Sequence, residues 1–187
     1  KNLTELVAYA KANPGKINFY SSGNGGLPHL TGELLNNVAG IQTVHIAYKG
    51  SAPGMNDLIG GQVQLGYDTV AIGLQHIKTG RLRALATTGP KRLAILPDVP
   101  STSEFASGLE AVNWYGMVVP AGTPRDVILR LNREITKVLE MPDIKEKLVS
   151  QGIDPAANSP EEFGEFMKSE AAKWARVIRA ANIKPDS

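Results

Sequence analysis

The sequence predicts an α/β fold in which a mainly parallel sheet is flanked by helices. Short apolar segments of strand length alternate along the first half of the chain with segments of helical periodicity. This alternation is the βαβ pattern, which places parallel strands in one sheet and covers both of its faces. The chain of 187 residues is 42% hydrophobic and 20% charged, so it can bury a substantial core.

The predicted elements of the first half follow one another in a regular order. Helical periodicity predicts helices over 3–12, 28–38, 52–60 and 70–79. The intervening apolar segments predict strands over 17–21, 43–48, 63–68 and 83–87. Parallel strands end at one edge of their sheet, and ligands of such folds bind beyond that edge.

The second half changes character at the proline-rich segment 96–100, which blocks regular structure. A last strand is expected over 114–119. Thr123 is expected to cap the next helix, whose apolar stripe runs from Val127 to Leu139. Ser159 is expected to cap the final helix, whose stripe runs from Phe163 to Ile178. Both stripes are interpreted as core.

The segment 19–30 combines the end of a strand, a glycine-rich turn and the start of a helix. Gly23, Gly25 and Gly26 permit positive φ and close approach of a ligand, and Pro28 suits a first helical turn. Such a turn aims backbone N–H groups and a helix N-terminus at one point, so it can hold an anion without a cationic side chain. A tight turn without a ligand is an equally good interpretation of the glycines alone.

Composition excludes several classes of function. The absence of cysteine removes disulfides, thiol catalysis and cysteine-based zinc sites. The 20 basic and 18 acidic residues are scattered, which argues against a nucleic-acid or anionic membrane surface. No apolar segment approaches the roughly 20 residues of a membrane helix, and the amino end shows no signal-peptide pattern.

Few side chains are candidates for chemistry. His45 and His76 are interpreted as structural, and no histidine has metal-ligand spacing. No serine lies in a nucleophile elbow, so no catalytic residue is predicted. His29 is expected to hold the glycine-rich turn by a hydrogen bond. Asp68 ends the third strand, where it could receive donors at the cleft, cap the next helix, or do both.

Several motifs, in unbroken order from Leu3 to Lys184, resemble the Bug family, the periplasmic solute-binding receptors of tripartite tricarboxylate transporters. They are Ser-Ser-Gly-Asn-Gly at 21–25, His29-Leu30, Tyr-Lys-Gly-Ser-Ala-Pro at 48–53, Asp57-Leu58 with Gly-Gly-Gln-Val at 60–63, Gly-Arg-Leu-Arg-Ala-Leu-Ala at 80–86, Leu-Pro-Asp-Val-Pro at 96–100, and Trp-Tyr-Gly at 114–116 with Pro-Ala-Gly-Thr-Pro at 120–124.

The resemblance implies one lobe of a two-lobed, periplasmic-binding-protein-like (type II) fold. Residues 1–112 would form the second lobe, and 113–187 would return to the first lobe. Family members have about a hundred further residues before the position of Lys1, which supply most of that first lobe. This sequence is therefore expected to lack most of the first lobe and half of the binding site.

The resemblance also implies a function without catalysis. The expected protein is a periplasmic receptor that captures a small organic carboxylate, needs no cofactor or metal, and delivers its ligand to membrane subunits of the transporter. Backbone N–H groups, hydroxyls and waters would hold the carboxylate. The predicted ligand-binding residues are Ser21, Ser22, Asn24, Gly25, Gly26, His29 and Asp68. Family members commonly carry Ser or Thr at the position of Gly26, where this chain offers only the N–H.

Two alternative functions remain open from the sequence. An α/β enzyme could act on a carboxylated or phosphorylated metabolite at the same turn, and a solitary receptor could signal to a sensor protein. With one lobe incomplete, this chain alone is expected to bind carboxylates no tighter than the millimolar range. Its carboxyl-terminal helices are expected to expose apolar surface and to favour self-association.

Overall fold

A computed structural model describes residues 1–184 and divides the chain into two compact units. The first unit contains residues 1–113 and 175–184, and the second contains Trp114–Trp174. The assignment of these units to the lobes of a receptor stays a prediction.

The first unit is built on a three-stranded parallel sheet, as the sequence predicts. Its strands are β1 (Asn18–Ser21), β2 (Val44–Ala47) and β3 (Leu65–Gly66), in the order β2-β1-β3. In the register of the sheet, Phe19 pairs with His45 on one side and with Leu65 on the other. All three strands end at the same edge because they run parallel.

The four helices predicted for the first half are present, each within one residue of its predicted bounds. They are α1 (Leu3–Ala12), α2 (Leu27–Ala39), α3 (Ser51–Ile59) and α4 (Val70–Lys78). The side chain of Asn2 caps α1 by accepting a hydrogen bond of 2.8 Å from the Glu5 N–H. A 3₁₀ turn over Thr102–Glu104 follows, with a capping box on Ser101.

Glycines allow α2 and α3 to pack closely on opposite faces of the sheet. A Cβ at Gly32 of α2 would lie 2.4 Å from the ring of Phe19, and a Cβ at Gly54 of α3 would lie 2.3 Å from the ring of Tyr20. Both rings are fully buried in the middle of β1. Because consecutive strand residues point to opposite faces, these two contacts fix one helix on each face.

Two predicted strands do not form. Segment 83–87 contributes one isolated parallel bridge, between Thr87 and Ser101, so β3 lacks a second partner within residues 1–184. Segment 114–119 has no regular secondary structure and pairs with no strand of the described chain, and Tyr115 and Val118 are 79% and 73% exposed. Strand propensity becomes a strand only where a neighbour supplies the backbone ladder, and neither segment has one here.

The second unit contains α5 (Arg125–Glu140), α6 (Pro142–Ser150) and most of α7 (Pro160–Ala180). The predicted cap at Ser159 is confirmed, since its Oγ accepts from the Glu162 N–H and its own N–H donates to the Glu162 carboxylate. The predicted cap at Thr123 is wrong. Pro124 occupies the capping position, and the Thr123 hydroxyl donates to the Pro120 carbonyl instead.

The predicted stripe of α5 is not core in this chain. No residue of α5 is buried, and Val127, Leu131 and Val138 are 39–48% exposed. The α7 stripe is partly covered, because Phe163 and Phe166 pack edge-on against Trp114 with ring centroids 5.6 and 5.4 Å away. The second unit therefore presents the apolar surface that the resemblance led us to expect.

Candidate functional site

The candidate site lies where β1 ends and α2 begins. Gly25 has φ +71°, which favours glycine, and Gly26 is the N-cap of α2 without any side-chain capping bond. Pro28 lies in the first turn of α2, where no donor is lost to the helix. The glycine-rich turn thus leads into a helix start whose N–H groups no side chain satisfies.

Helix starts at this edge of the sheet differ from those elsewhere. The helices that follow the three strands, α2, α3 and α4, have no side-chain capping bond and no acid in their first turn. The other α-helices within residues 1–184 all carry acids there, namely Glu5, Asp126, Asp143, Glu161 and Glu162. Carboxylates in the first turn compensate the helix dipole. Asp68 lies just before α4 and accepts the Thr69 N–H, so the two starts without a nearby carboxylate of this kind are those of α2 and α3.

The start of α3 also lies at this edge of the sheet, and the sequence had not led us to expect it in the candidate site. The Gly50 N–H donates to the Ser22 carbonyl at 3.1 Å, and Gly50 is the uncapped N-cap of α3. This bond links the loop after β2 to the loop after β1. The signal was available, because Gly50 follows a predicted strand and precedes a predicted helix just as the glycines at 23–26 do.

Ser21 supports the turn from inside the protein. The residue is fully buried, and its Oγ donates to the Gly23 carbonyl at 2.8 Å. The same Oγ lies 2.6 Å from His45 Nε2 and 3.3 Å from the Gly23 nitrogen. Because the single hydroxyl proton serves Gly23, we assign the proton on His45 Nε2 as a donor to Ser21. A Ser–His pair is present, but Ser21 is closed to any substrate.

His29 holds the same turn from the other side. Its Nδ1 accepts the Gly25 N–H at 3.0 Å, as the loop-holding interpretation predicts. That bond also means that the Gly25 N–H is already occupied in the described structure. With Nδ1 acting as acceptor, the ring proton lies on Nε2, which is 3.9 Å from a Glu33 carboxylate oxygen.

The two histidines stack on each other. Their ring centroids are 3.6 Å apart with planes 10° from parallel, and Phe19 packs against both rings. Burial, together with the smaller effect of the adjacent His29, lowers the pKa of His45 to about 4. Burial also lowers the pKa of His29, against the opposing effect of Glu33. Both imidazoles are therefore neutral at pH 7.

Asp68 braces the sheet edge instead of capping α4. One carboxylate oxygen accepts from the Tyr20 hydroxyl at 3.0 Å, and the other accepts from the Thr69 N–H at 2.8 Å. Thr69 occupies the N-cap of α4. Burial and the nearby Asp68 carboxylate raise the pKa of Tyr20. Asp68 follows β3 and Ser21 ends β1, so the parallel topology puts both residues at one edge.

The remaining predicted site residues lie on the outer side of the turn. Ser22 is half-buried, with its carbonyl used by Gly50. Asn24 is exposed, and its Nδ2 donates to the Lys184 carbonyl at 3.2 Å. The polar atoms of both residues are closer to solvent than those of Ser21.

A cavity of about 520 Å³ lies beside β3 in the first unit. Leucine is the most frequent residue in its lining, which reaches Tyr67 and Asp68 but includes no residue of 21–26. The Tyr67 hydroxyl is buried without a hydrogen-bond partner in the described part of the chain, and burial raises its pKa. The cavity occupies the gap between β3 and segment 81–88, where the sequence predicted a fourth strand.

Within 1–184, no group of histidine and carboxylate side chains is arranged to hold a metal ion. None of the helices there is both long and apolar enough to cross a membrane.

Comparison with known proteins identifies the family. The family model described as the tripartite tricarboxylate transporter family receptor matches residues 1–183. The chain belongs to this receptor family. The resemblance to Bug proteins is thereby confirmed, and so is the prediction of a binding protein rather than an enzyme.

Individual relatives agree with this assignment. A UPF0065 protein from the tcbD-tcbE intergenic region of Pseudomonas sp. (strain P51) is 39% identical over 180 residues, which are 95% of this chain and 54% of that protein. The structure of R. palustris Rpa4515 with adipate matches at 30% identity and a TM-score of 0.83, covering 99% of this chain and 62% of that one. The periplasmic binding protein BugD matches at 34% identity and a TM-score of 0.78, covering 99% of this chain and 63% of BugD.

The receptor-family chain spans about half the length of the curated relatives it matches. The solved relatives confirm the periplasmic-binding-protein-like α/β fold class. Ligand, transporter and cellular location belong to whole receptors, so for this chain they are matters of proposal.

Proposed function

We propose that this chain is the part of a periplasmic receptor that holds the carboxylate of a small organic acid at the N-termini of α2 and α3. The observation that carries the proposal is that α2 and α3 begin at the carboxyl edge of the sheet with neither a side-chain cap nor an acid in the first turn. An external anion would complete the hydrogen bonding and the charge that these helices leave open.

The chemistry needs no cationic side chain. Each helix start carries a partial charge of roughly +0.5 from its aligned peptide dipoles, and its free N–H groups point along the axis. Hydrogen bonds to an ionised acceptor are stronger than neutral ones, which suits capture of a carboxylate from water. The solved relative that holds adipate supports a small carboxylate as the ligand class.

The predicted site residues take different roles in this proposal. The Gly26 N–H, the Ser22 hydroxyl and Asn24 face the ligand, while Ser21 and His29 hold the turn in position. Gly25 supplies the left-handed backbone of the turn, and Asp68 braces its edge. Residues 1–112 act as the second lobe, and the receptor passes its ligand to membrane subunits of a tripartite transporter.

The test is an NMR titration of the ¹⁵N-labelled chain with adipate. We expect the amide signals of Gly26, Leu27 and Ser51 to shift in a saturable way, in the millimolar range, because one lobe leaves the ligand open to water. Adipamide, which has the same length without charge, is the matched control and should leave those signals unchanged. Equal shifts with both compounds, or shifts confined to other amides, would contradict the proposal.

A further inference from the structure

Each of the two stacked histidines makes its own hydrogen bond to the turn or to the strand end before it. His29 on α2 accepts from Gly25, and His45 on β2 contacts Ser21 at the end of β1. The carboxylate of Glu33, one turn along α2, lies 3.9 Å from His29 Nε2. Tyr67, which follows β3, packs edge-on against Phe19, and its hydroxyl interacts electrostatically with Glu33. Phe19 fills the remaining side of the pair. His29 itself is only 6% exposed.

The hydrogen bond from the Gly25 N–H to His29 forms only when His29 is neutral. A proton on its Nδ1 would turn the acceptor of the Gly25 N–H into a second donor, and two N–H groups would then face each other at 3.0 Å. His45 differs, since its Nε2 already donates to Ser21 and a second proton would lie on the other nitrogen. Protonation of His29 therefore removes the hydrogen bond by which it holds Gly25.

We propose that His29 is a positioning residue that makes anion capture depend on pH, because its protonation releases Gly25 and lets the turn leave its binding conformation. The inference rests on the proposed carboxylate site. A charged His29 nearby would by simple attraction strengthen anion binding, so the proposal predicts the opposite sign from electrostatics alone.

The direction follows from linkage. In the closed turn, burial holds the pKa of His29 below its ordinary value of 6.5. An open turn exposes the ring to water and restores that value. As pH falls below 6.5, proton uptake thus favours the open turn, by up to tenfold per pH unit for one group.

The experiment compares adipate binding by the full chain at pH 7.5 and 5 with that of two variants. His29→Asn places an amide oxygen near the position of Nδ1, so it keeps an acceptor for Gly25 but cannot titrate. The wild type should lose severalfold to tenfold more affinity between these pH values than His29→Asn. Protonation of adipate itself affects both proteins equally. His45→Gln keeps the donor to Ser21 but removes the stacked ring, so its transition should move to higher pH.

A second readout does not need the ligand. The Gly25 amide signal and its protection factor, which is the hydrogen-exchange rate corrected for the intrinsic effect of pH, should change between pH 7 and 5 in the wild type and stay constant in His29→Asn. Identical pH profiles of wild type and His29→Asn in this readout would overturn the inference, whether or not adipate binds. A titrating Gly25 amide without adipate binding at any pH would instead support the loop release and contradict the proposed function.

Discussion

At the scale of single residues, close packing at the centre of the fold requires two glycines, at positions where a side chain would clash. Because Gly32 and Gly54 have no side chain, α2 and α3 can pack directly on the rings of Phe19 and Tyr20. The loop-holding role of His29 could be predicted because its partner Gly25 is four residues away. The contact of Ser21 with His45 spans 24 residues and depends on strand register, which no local pattern contains.

Replacing Gly54 by Ala should destabilise the protein. The added Cβ would lie 2.3 Å from the buried ring of Tyr20, so the ring or α3 must move, at a cost of about 1–3 kcal/mol. Gly73→Ala in α4 is the matched control, since its Cβ meets only Ile77 at an ordinary 3.6 Å. It should be neutral or stabilising by about 0.5–1 kcal/mol. Urea unfolding of both variants gives the comparison, and an equal loss in both would contradict the packing argument.

The stability of the protein should fall as pH decreases from 6.5 to 4. His45 has its pKa lowered to about 4 in the folded protein, so between these values the unfolded chain binds the proton first. The contribution of His45 is complete above pH 6.5, and it decreases by at most about 1.4 kcal/mol per pH unit. Urea unfolding at several pH values should show a shallower slope in His45→Gln. A slope equal to that of the wild type would remove His45 as its source.

At the scale of elements, local signals predicted more than long-range ones. The bounds of α1 to α4 follow from periodicity and nearby glycines, asparagines and prolines, all of which act within a turn. Segments 83–87 and 114–119 have strand composition but no paired neighbour, and pairing is a property of the whole sheet. The uncapped start of α3 at Gly50 could be predicted in part. The glycine between a strand and a helix is a local signal, but the hydrogen bond from Gly50 to Ser22 joins two loops and is not.

Removing the cap of α7 should cost stability. Ser159→Ala loses the Oγ that accepts from the Glu162 N–H, at about 1 kcal/mol. Ser169→Ala, inside the same helix, removes only a hydroxyl that donates to the Phe166 carbonyl, so it is the control and should change stability little. Thermal unfolding followed by circular dichroism measures both. A larger loss in Ser169→Ala would show that the capping box is not what stabilises this end.

At the scale of the whole molecule, the second unit exposes many apolar side chains to solvent. Tyr115, Met117 and Val118 are 79%, 63% and 73% exposed, and four large apolar residues of α5 are exposed as well. Apolar exposure of this kind is typical of surfaces that associate. The family resemblance led us to expect exposed apolar surface on the carboxyl-terminal helices, whereas their helical periodicity alone predicted core. The exposure of 115–118 was not expected, because that segment was predicted as a strand.

Light scattering should therefore detect self-association of the chain at micromolar concentrations. The double variant Met117→Lys and Val118→Lys should shift the protein towards the monomer, because it places charge on the exposed segment. Tyr9→Ser is the control, since Tyr9 is 55% exposed on α1 in the other unit. A wild-type chain that stays monomeric throughout would contradict this expectation.

The central claim is that backbone N–H groups at the start of α2 hold the carboxylate, and the affinity of Leu27→Pro for adipate tests it most directly. Leu27 is the first residue of α2 and follows an extended Gly26, so proline fits there and removes only the N–H and part of the side chain. Leu27→Ala shortens the side chain but keeps the N–H. We predict that Leu27→Pro weakens binding about tenfold or more relative to Leu27→Ala, the loss of one hydrogen bond to a charged group. Equal affinities in two folded variants would contradict the account.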